Sequence, residues 1–262
     1  MSYKKLKIAC VILASGKSQR FGGVRSKLFY KVHGTPIIEI TLKNITKYIN
    51  KENIYITIPE KFTKNEKNLI SKYTENKLII GGITRFQSLK NAVNTINSND
   101  FEVLMIHDAA RPLVTRDLML NLFSSINSKK YNCSVPASTI EDTIRKNNKS
   151  LKKEDYKIYQ TPQLFNFALF MKKVNKIKFD PTDDLGVIEN SKSLKIKYIK
   201  SSKQNIKITN KEDIQVIKNI VNNNTRFGNG FDIHKLKKGN YLSLAGLKIK
   251  CKFQSIGHSD GD

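Results

Sequence analysis

The chain predicts an α/β fold, a doubly wound and mostly parallel sheet, and three observations carry that prediction. Short apolar, β-branched runs alternate along the sequence with longer segments of helical periodicity. Small and polar residues follow the carboxyl ends of the first and fourth apolar runs, where open α/β sheets place their ligands. A length of 262 residues holds one large α/β domain and a fraction more.

The first strand is read from the apolar stretch Leu6 to Ala14, short enough for one buried strand. Its loop runs Ala14-Ser15-Gly16-Lys17-Ser18-Gln19-Arg20, with Lys27 seven residues further on. Pro36 opens a helix whose Ile38, Leu42, Ile45 and Ile49 form one apolar stripe. Asn53 to Ile58 is a second strand, Phe62 to Tyr73 a polar surface helix, and Leu78 to Ile80 a third strand running into Gly81-Gly82. From Thr84 a helix carries Arg85 and Ser88 on one face of its first turns. Val103 to Ile106 is a fourth strand ending in His107-Asp108-Ala109-Ala110-Arg111-Pro112. A helix from about Thr115 to Ile126 and a strand from Cys133 to Ala137 follow.

The pattern then changes. Thr139 to Tyr159 has no helical stripe and reads as short strands or an extended β arm. Thr161-Pro162-Gln163 precedes a helix, Asp183-Asp184 caps another, and Lys195 to Ile208 reads as two late strands. Asn210 caps the last helix, through Val221. Asn222 to Thr225 is a linker, which gives three parts: a domain over 1–221, a linker over 222–225, and a short second segment over 226–262. About 37 residues cannot bury a core unaided, so the second segment reads as the incomplete start of a further α+β domain and the chain as a fragment of a longer one. Asp232 and His234 alternate with Phe231 and Ile233 there, so on a strand both face one way. Carboxylate and imidazole can hold zinc, but two ligands are too few for a site.

The first loop reads as a phosphate site. Ser15 and Gly16 let the backbone approach an anion, and Arg20 and Lys27 bring two positive charges to the same mouth. Two better-known loops are excluded by spacing. A Walker P-loop requires glycine where Val11 stands, and the dinucleotide fingerprint requires glycines where Ser18 and Phe21 stand. The start of the Thr84 helix, with its free N–H groups, favours a second anion contact.

Composition bounds the partners. The formal net charge is +25, with 39% hydrophobic and 26% charged residues. Nucleic acid is the obvious suspect for such a charge, but the lysines are scattered and form no block of five or six like charges. A general lysine bias on solvated faces is preferred, and small anionic substrates fit equally well. Only seven of the 47 basic residues are arginine; where lysine is the default cation, an arginine is there for its planar fork, which singles out Arg20, Arg85 and Arg111. The three cysteines are far apart without CxxC spacing, so neither a disulfide framework nor a thiolate metal site is indicated, and a reducing, cytoplasmic setting is expected. The basic, apolar start leads into Gly16 and Lys17 rather than a cleavage site. No run approaches the roughly 20 apolar residues of a membrane span, so no membrane partner is expected.

Six ordered stretches, namely the loop with Arg20 and Lys27, the Gly81-Gly82 to Ser88 segment, His107 to Pro112, Asp142-Thr143, Thr161-Pro162-Gln163 and Asn205-Ile206-Lys207-Ile208-Thr209, resemble the 2-C-methyl-D-erythritol 4-phosphate cytidylyltransferase family over roughly residues 6 to 221. The segment from Gly228 to Asp262 resembles the opening of 2-C-methyl-D-erythritol 2,4-cyclodiphosphate synthase. The whole is similar to the bifunctional fusion of the two, cut short. The resemblance implies a nucleotide-diphospho-sugar transferase-like fold and transfer of CMP from CTP to methylerythritol phosphate, with Mg2+ on the triphosphate. It implies that Arg20, Lys27, Lys153 and Lys207 are catalytic. Ala14, Ser15, Gly16, Gly81, Gly82, Arg85 and Ser88 would surround CTP, and Asp108, Arg111, Thr143 and Thr161 would face the acceptor, with Asp108 a candidate for the metal as well. His107 reads as structural. It implies a homodimer in which the 139–159 arm reaches the partner's site, and no role for nucleic acid.

Three positions depart from the family pattern. Ser18 stands for a loop glycine, Ser26 for the proline before Lys27, and Lys153 for an arginine eight residues before Thr161. An ammonium keeps the charge but gives up the bidentate grip, so weaker acceptor binding is expected. In the second segment the resemblance makes Asp232 and His234 ligands of a divalent metal, usually zinc, with His258 and Ser259 on the substrate side and the third ligand past residue 262. Cyclase activity is therefore not expected of this chain. A cytidylyltransferase for ribitol 5-phosphate is the nearest alternative, and a basic nucleic-acid-binding protein is the alternative of another class.

Overall fold

The structure is a computed structural model that describes residues 6–16, 18, 21, 26–75, 77–192, 194–221, 235–244 and 247–256. Arg20, the 222–225 linker, Asp232, His234, His258 and Ser259 lie outside the described residues.

The opening apolar run forms strand β1 (Ile8–Leu13). A short hairpin joins β2 (Lys31–Val32) to β3 (Thr35–Pro36) through His33 and Gly34. Their φ values of 46° and 80° suit the two-residue turn that matches strand twist. Pro36 then leads into α1 (Ile37–Ile45), followed by β4 (Ile54–Ile58). Helix α2 (Lys64–Ser71) starts later than expected because Thr63 and Glu66 close a reciprocal capping box. Next come β5 (Leu78–Ile80), α3 (Arg85–Val93), β6 (Val103–Asp108), α4 (Arg116–Asn127) and β7 (Cys133–Thr139). Thr84 and Thr115 cap α3 and α4 with their side-chain oxygens.

The arm is a hairpin of β8 (Ile144–Lys146) and β9 (Lys149–Leu151), turning at Asn147 and Asn148, both at positive φ. It returns as β10 (Lys157–Tyr159), and the chain passes the cis Thr161–Pro162 peptide into β11 (Gln163–Asn166) and α5 (Phe167–Val174). Strand β12 (Ile196–Lys200) and α6 (Glu212–Val221) complete the first unit.

Eight of these strands make one sheet in the order β5, β4, β1, β6, β11, β7 and β12, with β10 pairing β7 along the same edge as β11. The contacts of β1 with β4 and β6, of β4 with β5 and of β7 with β12 are parallel; β11 is antiparallel to both of its neighbours. Alternation puts side chains of each strand into two different cores. Cys10 and Ile12 of β1 and Met105 of β6 pack with α1, α2, α4 and α6 on one face. Ala9, Val11, Leu104 and Ile106 pack with α3 and α5 on the other. The sheet is thus wound on both faces, as the alternating elements predict.

Three expectations are corrected. Gln163 to Asn166 forms a central antiparallel strand, not a mere lead-in to a helix, because its backbone completes the ladders of β6 and β7. Lys195 to Ile208 holds one strand, not two: after β12 the chain leaves the sheet, and the Ile208 N–H donates to the Ala110 carbonyl instead of a ladder partner. Asp183-Asp184 caps no α-helix; only a 3-10 turn (Leu185–Val187) follows, and the Asp184 carboxylate bonds elsewhere.

By its contacts the chain divides into two units, Met1–Val221 and Asn222–Asp262. In the second, β13 (Lys235–Lys238) pairs with β16 (Phe253–Ile256), and β14 (Tyr241–Leu244) with β15 (Leu247–Lys250), both antiparallel. Cys10, Cys133 and Cys251 are all free thiols, and burial pushes Cys133 up to about 12 and Cys10 higher still. No helix among the described residues is long and apolar enough to cross a membrane.

Phe165 is fully buried, its ring centroid 5.0 Å from that of Phe170, on the strand the sequence did not reveal. Phe165→Ala is expected to cost about 3–5 kcal/mol, read from urea unfolding; a loss under about 1 kcal/mol would refute its place in the core.

Candidate active site

A cavity of about 310 Å³ opens at the carboxyl edge of β1 and β6. Ala14, Ser15, Gly16 and Lys27 border it from the first loop, Gly82, Arg85 and Ser88 from the start of α3, and Asp108 and Lys207 from the far side. Four separate stretches of sequence meet there because the parallel strands all deliver their following loops to one edge.

Gly81 and Gly82 are required by close approach. A Cβ on Gly81 would lie 2.3 Å from Ser15 Cβ, and one on Gly82 would lie 2.4 Å from Gln87 Cβ. Ser88 locks this contact: its hydroxyl donates to the Thr84 carbonyl at 2.9 Å and accepts from the Ser15 hydroxyl at 2.8 Å and the Gly82 N–H at 3.0 Å. A Cβ on Gly16, by contrast, would meet nothing within 4 Å. Among the described residues the Ser15 and Gly16 N–H groups have no hydrogen-bond partner. Unpaired backbone donors beside a cavity are what an anion site requires.

Ser18 has φ 52°, the left-handed conformation that glycine adopts without strain, which is the physical meaning of the glycine it replaces. Ser26 sits at φ −57°, a value proline would hold. Lys27 follows in a 3-10 turn, and its ammonium donates to the Ile208 carbonyl at 2.5 Å.

Across the cavity, Asp108 is the centre of an ion cluster. Its Oδ1 accepts from Nε and Nη2 of Arg85 at 3.2 and 3.1 Å, and its Oδ2 accepts from Lys207 Nζ at 2.8 Å. Arg111 Nε lies 3.6 Å from Oδ2, a coulombic contact too long for a hydrogen bond; its Nη1 donates to the Asn205 carbonyl at 2.8 Å. Burial alone would raise the Asp108 carboxyl, but Arg85, Lys207 and Arg111 together outweigh it and hold it far below the usual carboxylate range. Asp184 closes the chain, accepting from Arg85 Nη1 and Nη2 at 2.5 and 2.8 Å. Burial raises the Asp184 carboxyl against the pull of Arg85, yet two bonds this short are those of an ionised pair. Burial would likewise lower Arg85, and the two carboxylates reverse that and keep it protonated.

Thr161 and Arg111 do not border the cavity. The Thr161 hydroxyl accepts from the Asp108 N–H at 3.0 Å and meets His107 Nδ1 at 3.1 Å. His107 Nε2 lies 3.0 Å from the Arg111 carbonyl, which can only accept, so Nε2 carries the proton and Nδ1 takes the Thr161 hydroxyl hydrogen. Burial pushes the imidazole down to about 4. Thr143 and Lys153 are exposed on the arm, where Lys153 Nζ donates to the Glu141 carbonyl at 2.9 Å, and neither borders the cavity of its own chain. Sequence reasoning took Asp184 only for a helix cap and Asn205 only as part of the Asn205–Thr209 stretch, and gave neither a role at the site. The available signal for Asp184 was an acid pair after Pro181-Thr182 in a chain with only 22 acids against 47 bases.

A doubly wound sheet with a cationic cavity at its carboxyl edge, bordered by a small-residue loop, defines an α/β protein of the class that binds phosphate-bearing ligands at that edge. Residues 8–223 match the family described as IspD, 2-C-methyl-D-erythritol 4-phosphate cytidylyltransferase, and the chain belongs to that family. Residues 225–262 match the YgbB family. The bifunctional enzyme IspD/IspF of Pelagibacter ubique is 35% identical over 258 residues, covering 96% of this chain and 66% of that protein. Its namesake in Campylobacter fetus subsp. fetus is 33% identical over 260 residues, 98% of this chain and 66% of that protein. The chain thus spans 66%, just under two thirds, of the length of these relatives. Among solved structures, 4-diphosphocytidyl-2C-methyl-D-erythritol synthase from Anaerococcus prevotii superposes with a TM-score of 0.70 at 25% identity, covering 84% of this chain and 98% of that one. The bifunctional IspDF of Campylobacter jejuni gives 0.68 at 30% identity, covering 98% and 66%.

Two outcomes follow from this geometry. Between about pH 6.5 and about 4 the unfolded chain binds a proton on His107 that the folded chain refuses. Stability therefore falls as pH drops through that window, by on the order of 3 kcal/mol. Unfolding curves at stepped pH should show this slope in the native chain and its loss in His107→Gln; the same slope in both would refute it. Ser18→Gly should raise stability by roughly 0.5–1 kcal/mol, relief of left-handed strain exceeding the entropy glycine adds to the unfolded chain. A lowered melting midpoint would contradict that.

Proposed function

We propose that this chain transfers CMP from CTP to 2-C-methyl-D-erythritol 4-phosphate, releasing pyrophosphate, in non-mevalonate isoprenoid precursor synthesis. The observation that carries this reading is the convergence of Lys27, Arg85, Asp108 and Lys207 with the Ser15, Gly16 and Gly82 backbone on one cavity, in a chain of the IspD family. An acceptor phosphate is already ionised at neutral pH, so its oxygen can attack the α-phosphorus in line without a general base. The bond from that phosphorus to the bridging oxygen breaks, and pyrophosphate leaves with the electron pair. Lys27 and Lys207 flank the space where charge accumulates, and catalysis is positioning and neutralisation. Arg20 would join them from the first loop. His107, buried and neutral, holds Thr161 and moves no proton.

A magnesium ion carried by the nucleotide would rest on phosphate oxygens and could reach Asp108 only in exchange for Arg85 or Lys207, which face its two oxygens. Asp108 is the acid bordering the cavity among the described residues, no group of three or more metal-binding side chains stands elsewhere among them, and such ions take one or two carboxylates plus phosphate oxygens. Bound there, magnesium would neutralise the triphosphate. Asp232 and His234 lie outside the described residues, and no step is assigned to a metal in the second segment. The exposed arm fits a cytoplasmic homodimer in which Thr143 and Lys153 serve the partner's site.

Pyrophosphate release should require CTP, magnesium and methylerythritol phosphate together, and Lys27→Ala or Lys207→Ala should lower kcat by about 10²–10³. Comparable release from ATP, GTP or UTP, or release with ribitol 5-phosphate alone, would overturn the assignment.

A further inference from the structure

Asp184 is 1% exposed and does not border the cavity, whereas the Arg85 side chain is 33% exposed and does. The guanidinium is gripped on two edges. Nη1 and Nη2 face both oxygens of Asp184, while Nε and Nη2 share the single oxygen Oδ1 of Asp108. That division leaves Oδ2 of Asp108 to Lys207 at 2.8 Å. A guanidinium freed from Asp184 would close its fork across both oxygens of Asp108, the bidentate arrangement it favours, and displace Lys207. The charge count points the same way. Three cations, Arg85, Arg111 and Lys207, surround Asp108, and Asp184 supplies the second anion that lets them stand together.

We propose that Asp184 is a positioning residue of the transfer reaction: by anchoring Arg85 it apportions the two oxygens of Asp108, holding Lys207 at the cavity wall. The proposal rests on the cytidylyltransferase reading above. Because Asp184 reaches the cavity only through Arg85, its effect must vanish when Arg85 is removed.

The test is a double-mutant cycle with a spectroscopic arm. Asp184→Asn is expected to lower kcat/KM for CTP by about 10- to 100-fold through misplacement of the cavity side chains. Arg85→Met/Asp184→Asn should match Arg85→Met alone. A purely structural role would instead add its loss in both backgrounds and overturn the proposal. If Asp184→Asn fails to fold because Arg85 is left uncompensated, the comparison of Arg85→Met with the double variant, in which both charges are gone, still decides. Seven arginines make ¹⁵N-arginine spectra assignable by substitution. The Arg85 Nε–H signal should be sharp and slow to exchange in the native chain, and shifted in Asp184→Asn, where the guanidinium pairs with both oxygens of Asp108. An unchanged Arg85 signal overturns the anchoring. A native chain that releases no pyrophosphate from CTP refutes the functional reading instead and leaves the spectral arm to judge the anchor.

Discussion

Asp108 is a carboxylate buried at the end of a central strand, a position that water cannot stabilise, and the surrounding structure answers that constraint. Arg85 reaches it from α3, Arg111 from the turn after β6, and Lys207 from the chain beyond β12. An ion of this kind is tolerable only while its partners are in place, so single contacts of the cluster join residues as far as 99 apart in sequence. The backbone beneath is fixed as firmly: Thr161 receives the Asp108 N–H, His107 orients Thr161, and Asn205 bonds the Thr161 carbonyl at 2.9 Å. A neutral, buried histidine therefore works as a rigid spacer in a wall whose other side faces the cavity.

The opposite wall follows a different principle, close approach of small residues. Ser15 and Gly81 meet at a distance no side chain at Gly81 would permit, and Ser88 joins the two with one hydroxyl that donates once and accepts twice. This uses up the Gly82 N–H, while those of Ser15 and Gly16 have no hydrogen-bond partner among the described residues. One wall is thus charged and held by ion pairs, the other neutral and held by sterics.

Much of this was legible from local pattern. β1, β4, β5 and β6 are apolar runs followed by small or polar loops, and their pairing in parallel follows from the helices between them. β11 was hidden because Gln163-Leu164-Phe165-Asn166 is four residues long, starts beside a proline and owes its existence to strands β6 and β7, far away in sequence. Ile206 to Ile208 misled in the opposite direction: β-branched residues suggested a ladder, yet Ile208 bonds the Ala110 carbonyl and its own carbonyl takes the Lys27 ammonium. In both cases tertiary partners overrode local propensity. Asp184 was invisible for a related reason, since an acid before a short turn looks like a cap until the arginine that claims it is in view.

The arginines and lysines divide the electrostatic work. Among the described residues no lysine is buried, while Arg111 is and Arg85 is two-thirds so. The other described arginines, Arg116 and Arg145, stay exposed. Lysine supplies a diffuse positive field, and a net charge of +25 draws any polyanion toward the molecule. Such a field accelerates encounter but cannot tell one nucleotide from another. Discrimination has to come from groups whose positions are fixed before the ligand arrives, and those are the Ser15–Ser88–Gly82 lock and the forked arginine between two carboxylates. On the proposed reading, the buried ion cluster and the glycine contact would carry selectivity, and the abundant surface charge would only bring ligands to them.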